Sequence, residues 1–353
     1  MEKSIADLLQ KVLQEMDLGA LQEPPRRVDG GLMHTMYAAV TERGKYAVKA
    51  LNPAVMKREK ALENTILSEK IARELSTTVP AVPAICKDGE AVLALDGCYY
   101  MVFPWQSGKS VFAKKITPLH CERIGGILGT IHHANVQIDG AACGETEVFD
   151  PDWGAVLQLA RQEKPSWLRL FTARYDKIGG WTQRYVAAAE KLSGEKVLSH
   201  RDLDPKNVLW DGMEPFLIDW EAAGYVNPER ELTEVVNDWA CNQRGLPDRA
   251  KFRALLAAYQ ANRPLLHADW RAALDSGYGN MLEWLLYNMK RSLEVECSSP
   301  EERRLGTAQV RGTLHALDAY ERKAACCGNG FGRIAMPESG LPNLHGCGKL
   351  RAN

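Results

Sequence analysis

The 353-residue chain lacks an excess of either charge. It has 44 Lys and Arg against 45 Asp and Glu, which gives a formal net charge of −1. Proteins that bind nucleic acid or anionic membranes through bulk electrostatics carry a basic excess, so neither partner is expected. No internal repeat is visible in the sequence. Function must therefore be sought in a local site.

Long apolar runs are also missing. No stretch approaches the ~18 uncharged apolar residues that span a membrane. The N-terminal segment MEKSIADLLQKVLQEMDLG carries acids and a helical period instead of the basic start and apolar run of a secretory signal. Nine cysteines are scattered and odd in number, unlike the disulfide framework of a small secreted domain. We expect a cytoplasmic protein with reduced thiols.

Four segments differ in their patterns. Residues 1–25 have the apolar spacing of an amphipathic helix, and residues 26–104 combine strand-like runs and turns with one long helix. Residues 105–325 are mostly helical, and residues 326–353 are rich in Gly and Pro with little periodicity. We predict an N-terminal helix, a small sheet domain, a larger helical domain and a disordered tail, with 104–109 joining the two domains.

Charged residues crowd the stretch VLSHRDLDPKNVLWDGMEPFLIDWEAAGY. The runs V-L-W and F-L-I flank an Asp-Gly dipeptide, which predicts a short antiparallel hairpin. If Trp210 faces Phe216, the register pairs Asn207 with Asp219. An amide oxygen beside a carboxylate suits Mg²⁺, which also binds phosphate oxygens. Asp202 precedes this pair closely enough to face what the metal holds.

These residues resemble a known family. His200-Arg201-Asp202-Leu203, Asn207 and Ile218-Asp219-Trp220-Glu221 are similar to the catalytic loop and metal motif of the aminoglycoside phosphotransferase and choline kinase family. The resemblance implies an α+β, protein-kinase-like fold of two lobes, a small antiparallel sheet with one long helix and a larger mainly helical lobe. It also implies that Asp202 is the catalytic base, that Asn207 and Asp219 bind Mg²⁺, and that ATP or GTP is the co-substrate. His200 is expected to brace the loop.

Lys49 stands inside the apolar strand Y-A-V-K-A-L. It resembles the strand lysine that binds the nucleotide phosphates in this fold, although a solvent-facing lysine on an alternating strand would look the same. The family pairs this lysine with a helix glutamate. Glu69 matches the spacing best, and Glu63 and Glu59 are alternatives.

Other nucleotide contacts follow from the same resemblance. Gly30 and Gly31 lie where a phosphate-covering loop is expected, although G-x-G-x-x-G is absent and two glycines usually indicate only a turn. Met101 and Phe103 belong to the segment that resembles the hinge at the purine edge. A buried strand is the alternative interpretation of that segment, and both can hold.

The acceptor is less constrained. Few residues follow Asp219 before the next helix, so a long segment for docking a peptide is absent and a small-molecule hydroxyl is favoured. Acidic and aromatic side chains could bind a cationic acceptor, although a solvated, salt-bridged helix face is the alternative. The candidate substrate contacts are Glu221, Glu231, Asp238 and Trp284.

The combined interpretation is a Mg²⁺-dependent kinase that transfers the γ-phosphoryl group of ATP or GTP to a hydroxyl of an aminoglycoside-like or amino-alcohol-like molecule. A metabolic kinase for choline, thiamine, homoserine or a sugar is the alternative. A protein kinase and a catalytically silent binding protein of the same fold are further alternatives. The protein is expected to be a monomer or homodimer.

Overall fold

The structure is a computed structural model. It describes residues 5–28, 34–112, 114–141, 148–242, 246–264, 269–297 and 299–334, with the backbone alone for 326–334. The chain forms two compact units. The first comprises Met1–Val148 with Ala189–Pro264, and the second comprises Phe149–Ala188 with Leu265–Asn353.

The described chain contains both helices and strands. The helices are α1 (Ile5–Glu15), α2 (Pro53–Met56), α3 (Ala61–Leu75), α4 (Pro118–Ala134), α5 (Trp153–Glu163), α6 (Leu168–Thr172), α7 (Tyr175–Lys191), α8 (Pro228–Trp239), α9 (Arg249–Asn262), α10 (Trp270–Ser276), α11 (Tyr278–Ser292) and α12 (Pro300–Ile334). The strands are β1 (Arg26–Val28), β2 (Thr35–Thr41), β3 (Gly44–Ala50), β4 (Leu93–Leu95), β5 (Cys98–Pro104), β6 (Val197–Ser199), β7 (Val208–Asp211), β8 (Glu214–Leu217) and β9 (Gly224–Val226).

An antiparallel sheet of order β1-β2-β3-β5-β4 forms the N-terminal part of the first unit. The β4–β5 turn has Asp96 and Gly97 at φ 50° and 77°, the left-handed pair that two-residue hairpins favour. The predicted small sheet and the long helix α3 are confirmed, as is the α+β fold class with a mainly helical C-terminal part.

Helix α1 covers part of the sheet. Leu9, Val12 and Leu13 are fully buried and pack with Ala39 and Val48 of the strands. Their spacing of three and four residues puts them on one helical face. The amphipathic helix expected from the sequence is confirmed, and it ends at Glu15.

The C-terminal part of the first unit is built on paired elements. Strand β6 pairs with β9 and strand β7 with β8, both antiparallel. Helix α4 packs closely against α9 because it presents glycines to it. A Cβ on Gly129 would lie 2.7 Å from the carbonyl oxygen of Tyr259, and a Cβ on Gly125 would collide with the carbonyl oxygen of Leu255. Small residues thus let the two helix backbones approach.

The second unit is helical. Trp181 of α7 stacks on Tyr278 of α11 with centroids 5.9 Å apart, and Arg174, directly before α7, bonds Asp318 of α12 at 2.7 Å. Helix α12 continues to Ile334, so residues 326–334 are helical and not part of a disordered tail as predicted. Residues 335–353 lie outside the described residues. No helix in the described part of the chain is both long and apolar enough to cross a membrane.

The α4–α9 contact gives a matched pair of substitutions. Gly125→Ala should lower the free energy of unfolding by about 2 kcal/mol, because a methyl group must displace the α9 backbone. Gly126→Ala has open space around its Cβ and should raise stability by up to about 1 kcal/mol through helix propensity. Denaturant unfolding of both variants checks this, and a stable Gly125→Ala protein would contradict the packing.

Candidate active site

The β7–β8 hairpin forms with a register that differs from the predicted one. Trp210 faces Pro215 instead of Phe216. The turn closes as a two-residue loop that starts at Gly212, whose φ is 61°. The Asp-Gly turn signal was correct, but it did not determine which residue pair closes the loop, so the predicted register was wrong by one residue.

The shifted register changes the partner of Asn207. Its carbonyl oxygen accepts a hydrogen bond from Ile218 N at 3.0 Å, so the predicted pairing of Asn207 with Asp219 is wrong. Asp219 comes directly after Ile218 and has a left-handed backbone, with φ 60° and ψ 64°. A non-glycine residue held in this region is strained, and such strain is common at functional sites.

Both carboxylate oxygens of Asp202 accept hydrogen bonds. Lys206 Nζ donates to Oδ1 at 3.1 Å, and Asn207 Nδ2 donates to Oδ2 at 2.9 Å. Asn207 Nδ2 also donates to the Asp202 carbonyl oxygen at 2.9 Å. Since these bonds use the amide nitrogen of the buried Asn207, its Oδ1 is the atom suited to a cation. The Asp202 side chain stays 41% exposed.

His200 is fully buried and braces this loop. Its Nδ1 accepts from Asp202 N at 3.3 Å, which assigns the proton to Nε2, and Nε2 donates to Ile218 O at 3.1 Å. Burial lowers the pKa of His200, in keeping with a neutral ring. The ring also contacts Trp220, with centroids 4.5 Å apart. His200 therefore connects the loop to the segment that carries Asp219.

Glu231, in the first turn of α8, is hydrogen-bonded to the same loop. Its Oε1 accepts from Arg201 N at 2.7 Å, where Arg201 has a left-handed φ of 64°. Its Oε2 lies 2.8 Å from His132 Nε2, and His132 Nδ1 lies 2.8 Å from the Tyr259 hydroxyl. Burial raises the pKa of Glu231, but the bonds and charge interaction with His132 hold it below its ordinary value.

The prediction that Glu231 contacts the acceptor is corrected by this geometry. The residue is 1% exposed, and both of its oxygens are used inside the protein. Sequence alone did not distinguish the buried Glu231 from Asp238, which lies further along α8. Asp238 is exposed.

Lys49 is buried in β3 and lies opposite Met101 of β5. Its Nζ bonds Asp219 Oδ1 at 2.9 Å and Glu221 Oε2 at 2.7 Å. Burial lowers the pKa of Lys49, but the carboxylates of Asp219 and Glu221 raise it by more. The strand lysine is thus a cation held between two acids, and the alternative of a solvent-facing lysine is wrong.

The expected partner Glu69 does not bond Lys49 in this structure. Glu69 Oε2 accepts from Ala84 N at 2.7 Å, so the predicted ion pair is corrected to the two acids above. Burial raises the pKa of Glu69 to about 7 although the Ala84 N–H and the Lys49 charge lower it. Of the three candidate glutamates, Glu69 is buried, whereas Glu59 and Glu63 are exposed.

His34 was not singled out from the sequence. Its Nδ1 accepts from Asn52 N at 2.9 Å, and its Nε2 lies 3.5 Å from Glu221 Oε2. Burial and Lys49 lower the pKa of His34. The sequence signal that could have identified His34 is its position directly before β2, where the expected phosphate-covering loop ends.

One cleft in the first unit collects several of the predicted side chains. It is lined by His34, Lys49, Leu51, Thr65, Ser68, Glu69, Met101, Phe103, Asp219, Trp220 and Glu221. Gly30 and Gly31 lie outside the described residues. Trp284 lies in the second unit, on α11, with 45% of the residue exposed.

The segment after β5 is hydrogen-bonded to β7 and to the loop that carries Asp202. Lys109 and Trp210 exchange two backbone hydrogen bonds of 3.1 Å, and Ser110 Oγ donates to Lys206 O at 3.0 Å. Gly108 makes this approach possible, because a Cβ there would lie 2.8 Å from the Trp210 backbone. No sequence pattern marked these long-range contacts.

Comparison with known proteins identifies the family of the chain. The profile of the phosphotransferase enzyme family matches residues 25–268, about two thirds of the chain. The chain belongs to this family. The predicted family, that of phosphotransferase enzymes, is therefore confirmed.

Several individual proteins are similar to this chain. The homoserine kinase of Gluconacetobacter diazotrophicus is 26% identical over 206 residues, 58% of this chain and 62% of that protein, which is less than two thirds of its length. Spectinomycin phosphotransferase, solved with ADP and spectinomycin, has a TM-score of 0.68 at 14% identity and covers 91% of this chain and 99% of its own. Choline kinase from Cryptosporidium parvum has a TM-score of 0.55 at 12% identity, covering 91% and 97%. The fold is that of these kinases.

The residues of this family member fit a phosphate-bound Mg²⁺. In the described part of the chain, no group of three or more His, Cys, Asp and Glu side chains is arranged to hold a metal ion alone. Mg²⁺ in phosphoryl-transfer sites needs one or two protein carboxylates, because phosphates and water supply the other ligands. The oxygens of Asn207, Asp219 and Glu221 are hard donors of this type.

The buried carboxyl of Glu69 gives a pH prediction. Its pKa of about 7 in the folded protein lies above the 4.5 of the unfolded chain, so its stabilising contribution is complete below pH 4.5 and is lost as the pH rises to 7. The stability of Glu69→Gln relative to the wild type should therefore increase by on the order of 2 kcal/mol as the pH rises from 5 to 8. Thermal unfolding across this range measures the difference.

Glu63→Gln, on the exposed face of the same helix, is the matched control for this series. An equal pH-dependent difference in that variant would show that Glu69 is not the responsible group.

Proposed function

We propose that this protein transfers the γ-phosphoryl group of ATP or GTP, bound with Mg²⁺, to the hydroxyl of a small amino alcohol. The observation that carries the proposal is the convergence of the cleft around Lys49 and Asp219 with the loop of Asp202 and Asn207. His200 joins the two, since it bonds Asp202 N and Ile218 O. A cation, a metal-binding carboxylate and an exposed base are the parts that phosphoryl transfer needs.

Asp202 would orient the acceptor hydroxyl and take its proton. The hydroxyl oxygen forms a bond to the γ-phosphorus, the bond from that phosphorus to the β–γ bridging oxygen breaks, and the nucleoside diphosphate leaves with the bond electrons. The hydrogen bond from Asn207 Nδ2 to its carboxylate would keep Asp202 oriented before the acceptor arrives. Most of the rate would come from positioning and charge neutralisation.

Lys49 and the acids around it would bind the nucleotide. The Lys49 ammonium would bind phosphate oxygens, and Asn207, Asp219 and Glu221 would hold Mg²⁺. Bound Mg²⁺ supplies neutralisation of the charge on the β and γ phosphates. Met101 and Phe103 on β5 would meet the purine through backbone groups, and Glu69 would fix the segment behind Lys49 through its bond to Ala84 N.

Homoserine is the first candidate acceptor, because a homoserine kinase is among the relatives with the highest similarity. Homoserine is one of the acceptors named from the sequence under the alternative of a metabolic kinase, and it is chemically an amino alcohol. Exposed Asp238 and the half-exposed Asp202 lie on elements tied together by the Trp239 indole, which donates to Leu203 O at 2.8 Å. Such acids would favour a molecule with an ammonium group.

Nucleoside diphosphate release tests the proposed function. The purified full chain is incubated with Mg²⁺-ATP or Mg²⁺-GTP and homoserine, choline, thiamine, a sugar panel or aminoglycosides including spectinomycin. An amino alcohol should give a kcat/KM at least about tenfold above the other classes. Transfer to a generic protein substrate alone, or no transfer to any panel member, would contradict the proposal.

Substitution of Asp202 should lower the rate of transfer, whereas substitution of Asp219 should weaken nucleotide binding. Asp202→Asn should lower kcat by about 10³-fold, because it removes the base, and leave nucleotide affinity within about threefold. Asp219→Ala should weaken Mg²⁺-dependent nucleotide binding by more than about tenfold, while Glu221 still holds Lys49. Calorimetric titration and initial rates separate the two effects, and exchanged phenotypes would reverse the assignments.

A further inference from the structure

Lys206 has no role in the chemistry described above, yet it contacts the proposed base directly. It lies on the single turn Pro205–Asn207, and its Nζ is 3.1 Å from Asp202 Oδ1. The other carboxylate oxygen, Oδ2, is bonded by Asn207 Nδ2 at 2.9 Å. Two neighbouring residues thus hold the two oxygens of Asp202 from different directions.

The backbone of Lys206 is fixed at both ends. Its N–H donates to Asp204 Oδ1 at 2.7 Å, and its carbonyl oxygen accepts from Ser110 Oγ at 3.0 Å. Pro205 restricts the chain immediately before it. The side chain of Lys206 therefore starts from a fixed backbone position. It loses less conformational freedom when its ammonium group bonds Asp202.

The pair contributes little to folding. The side chains of Lys206 and Asp202 are 54% and 41% exposed, and exposed ion pairs add little to stability because water screens them and both side chains lose freedom. Any large effect of Lys206 would therefore act on the orientation of the Asp202 carboxylate. Asp204 Oδ2, 3.9 Å from the same Nζ, is the other acid in direct reach.

We propose that Lys206 is a positioning residue for phosphoryl transfer. It holds Asp202 Oδ1 while Asn207 holds Oδ2, so the carboxylate does not rotate about its Cβ–Cγ bond when the acceptor hydroxyl approaches. The proposal rests on the proposed function, since Asp202 is the base only if the protein transfers phosphate. Misplacing a reacting group by about 1 Å can lower a rate by about 10²-fold, which sets the scale of the effect.

Substitution of Lys206 tests this on the full chain. Lys206→Met should lower kcat by about 30-fold, with the KM values for nucleotide and acceptor within about threefold and the Tm unchanged. Lys206→Arg keeps a cation that can bond Oδ1 and should recover at least about a third of the wild-type kcat. Lys206→Gln, neutral and similar in shape, should resemble Lys206→Met and serves where that variant folds poorly.

Lys290→Met is the matched control. Lys290 is an exposed lysine whose Nζ bonds Glu296 Oε1 at 2.7 Å, so the substitution removes a surface ion pair that has no contact with Asp202. Its kcat should equal that of the wild type. A Lys206→Met enzyme with at least half of the wild-type kcat would overturn the proposal.

A double-mutant cycle with Asp202→Asn shows whether Lys206 acts through the base. In the Asp202→Asn background, Lys206→Met should not reduce the residual rate further, because the group it positions is gone. An independent reduction of about 30-fold in that background would also overturn the proposal. A wild-type protein that transfers no phosphate to any acceptor would instead contradict the proposed function, which distinguishes the two failures.

Discussion

The loop that carries Asp202 depends on one buried carboxylate. Glu231 is 1% exposed and accepts the backbone N–H of Arg201 while it bonds His132. Removing the partner of a buried carboxylate is strongly destabilising, because the carboxylate is left without compensation. The left-handed conformation of Arg201 therefore persists because helices α4 and α8 and the loop share this interaction, and Asp202 follows directly after it.

The cleft follows a similar rule of charge compensation. A lysine inside an apolar strand requires anions, and the structure supplies Asp219 and Glu221 to Lys49. Glu69, a little deeper, is held by a backbone N–H, and burial raises its pKa to about 7. The acids that compensate Lys49 are the ones that would bind Mg²⁺, so nucleotide and metal would bind to groups that are already oriented.

Local patterns predicted the elements but not the contacts between distant segments. Apolar spacing predicted α1, an Asp-Gly dipeptide predicted the β7–β8 hairpin, and the motif from His200 to Glu221 indicated the family. The β7–β8 register was wrong because an Asp-Gly turn can close around more than one residue pair. The bonds of Glu231 to Arg201 and of Glu69 to Ala84 were missed because buried and exposed acids have the same sequence signal on a helix.

The reaction and the acceptor depend on different kinds of residue. Phosphoryl transfer needs a fixed base, a metal site and a cation, and the described first unit contains candidates for each in Asp202, Asp219 and Lys49. These groups act on the phosphate and on a generic hydroxyl, so related enzymes can use them with different acceptors. The choice of acceptor must therefore depend on side chains outside the motif, such as the exposed Asp238. Phosphoryl transfer itself does not require a particular residue type at such positions. This explains why one motif could identify the reaction class while leaving an amino alcohol, a vitamin and a sugar all compatible with it.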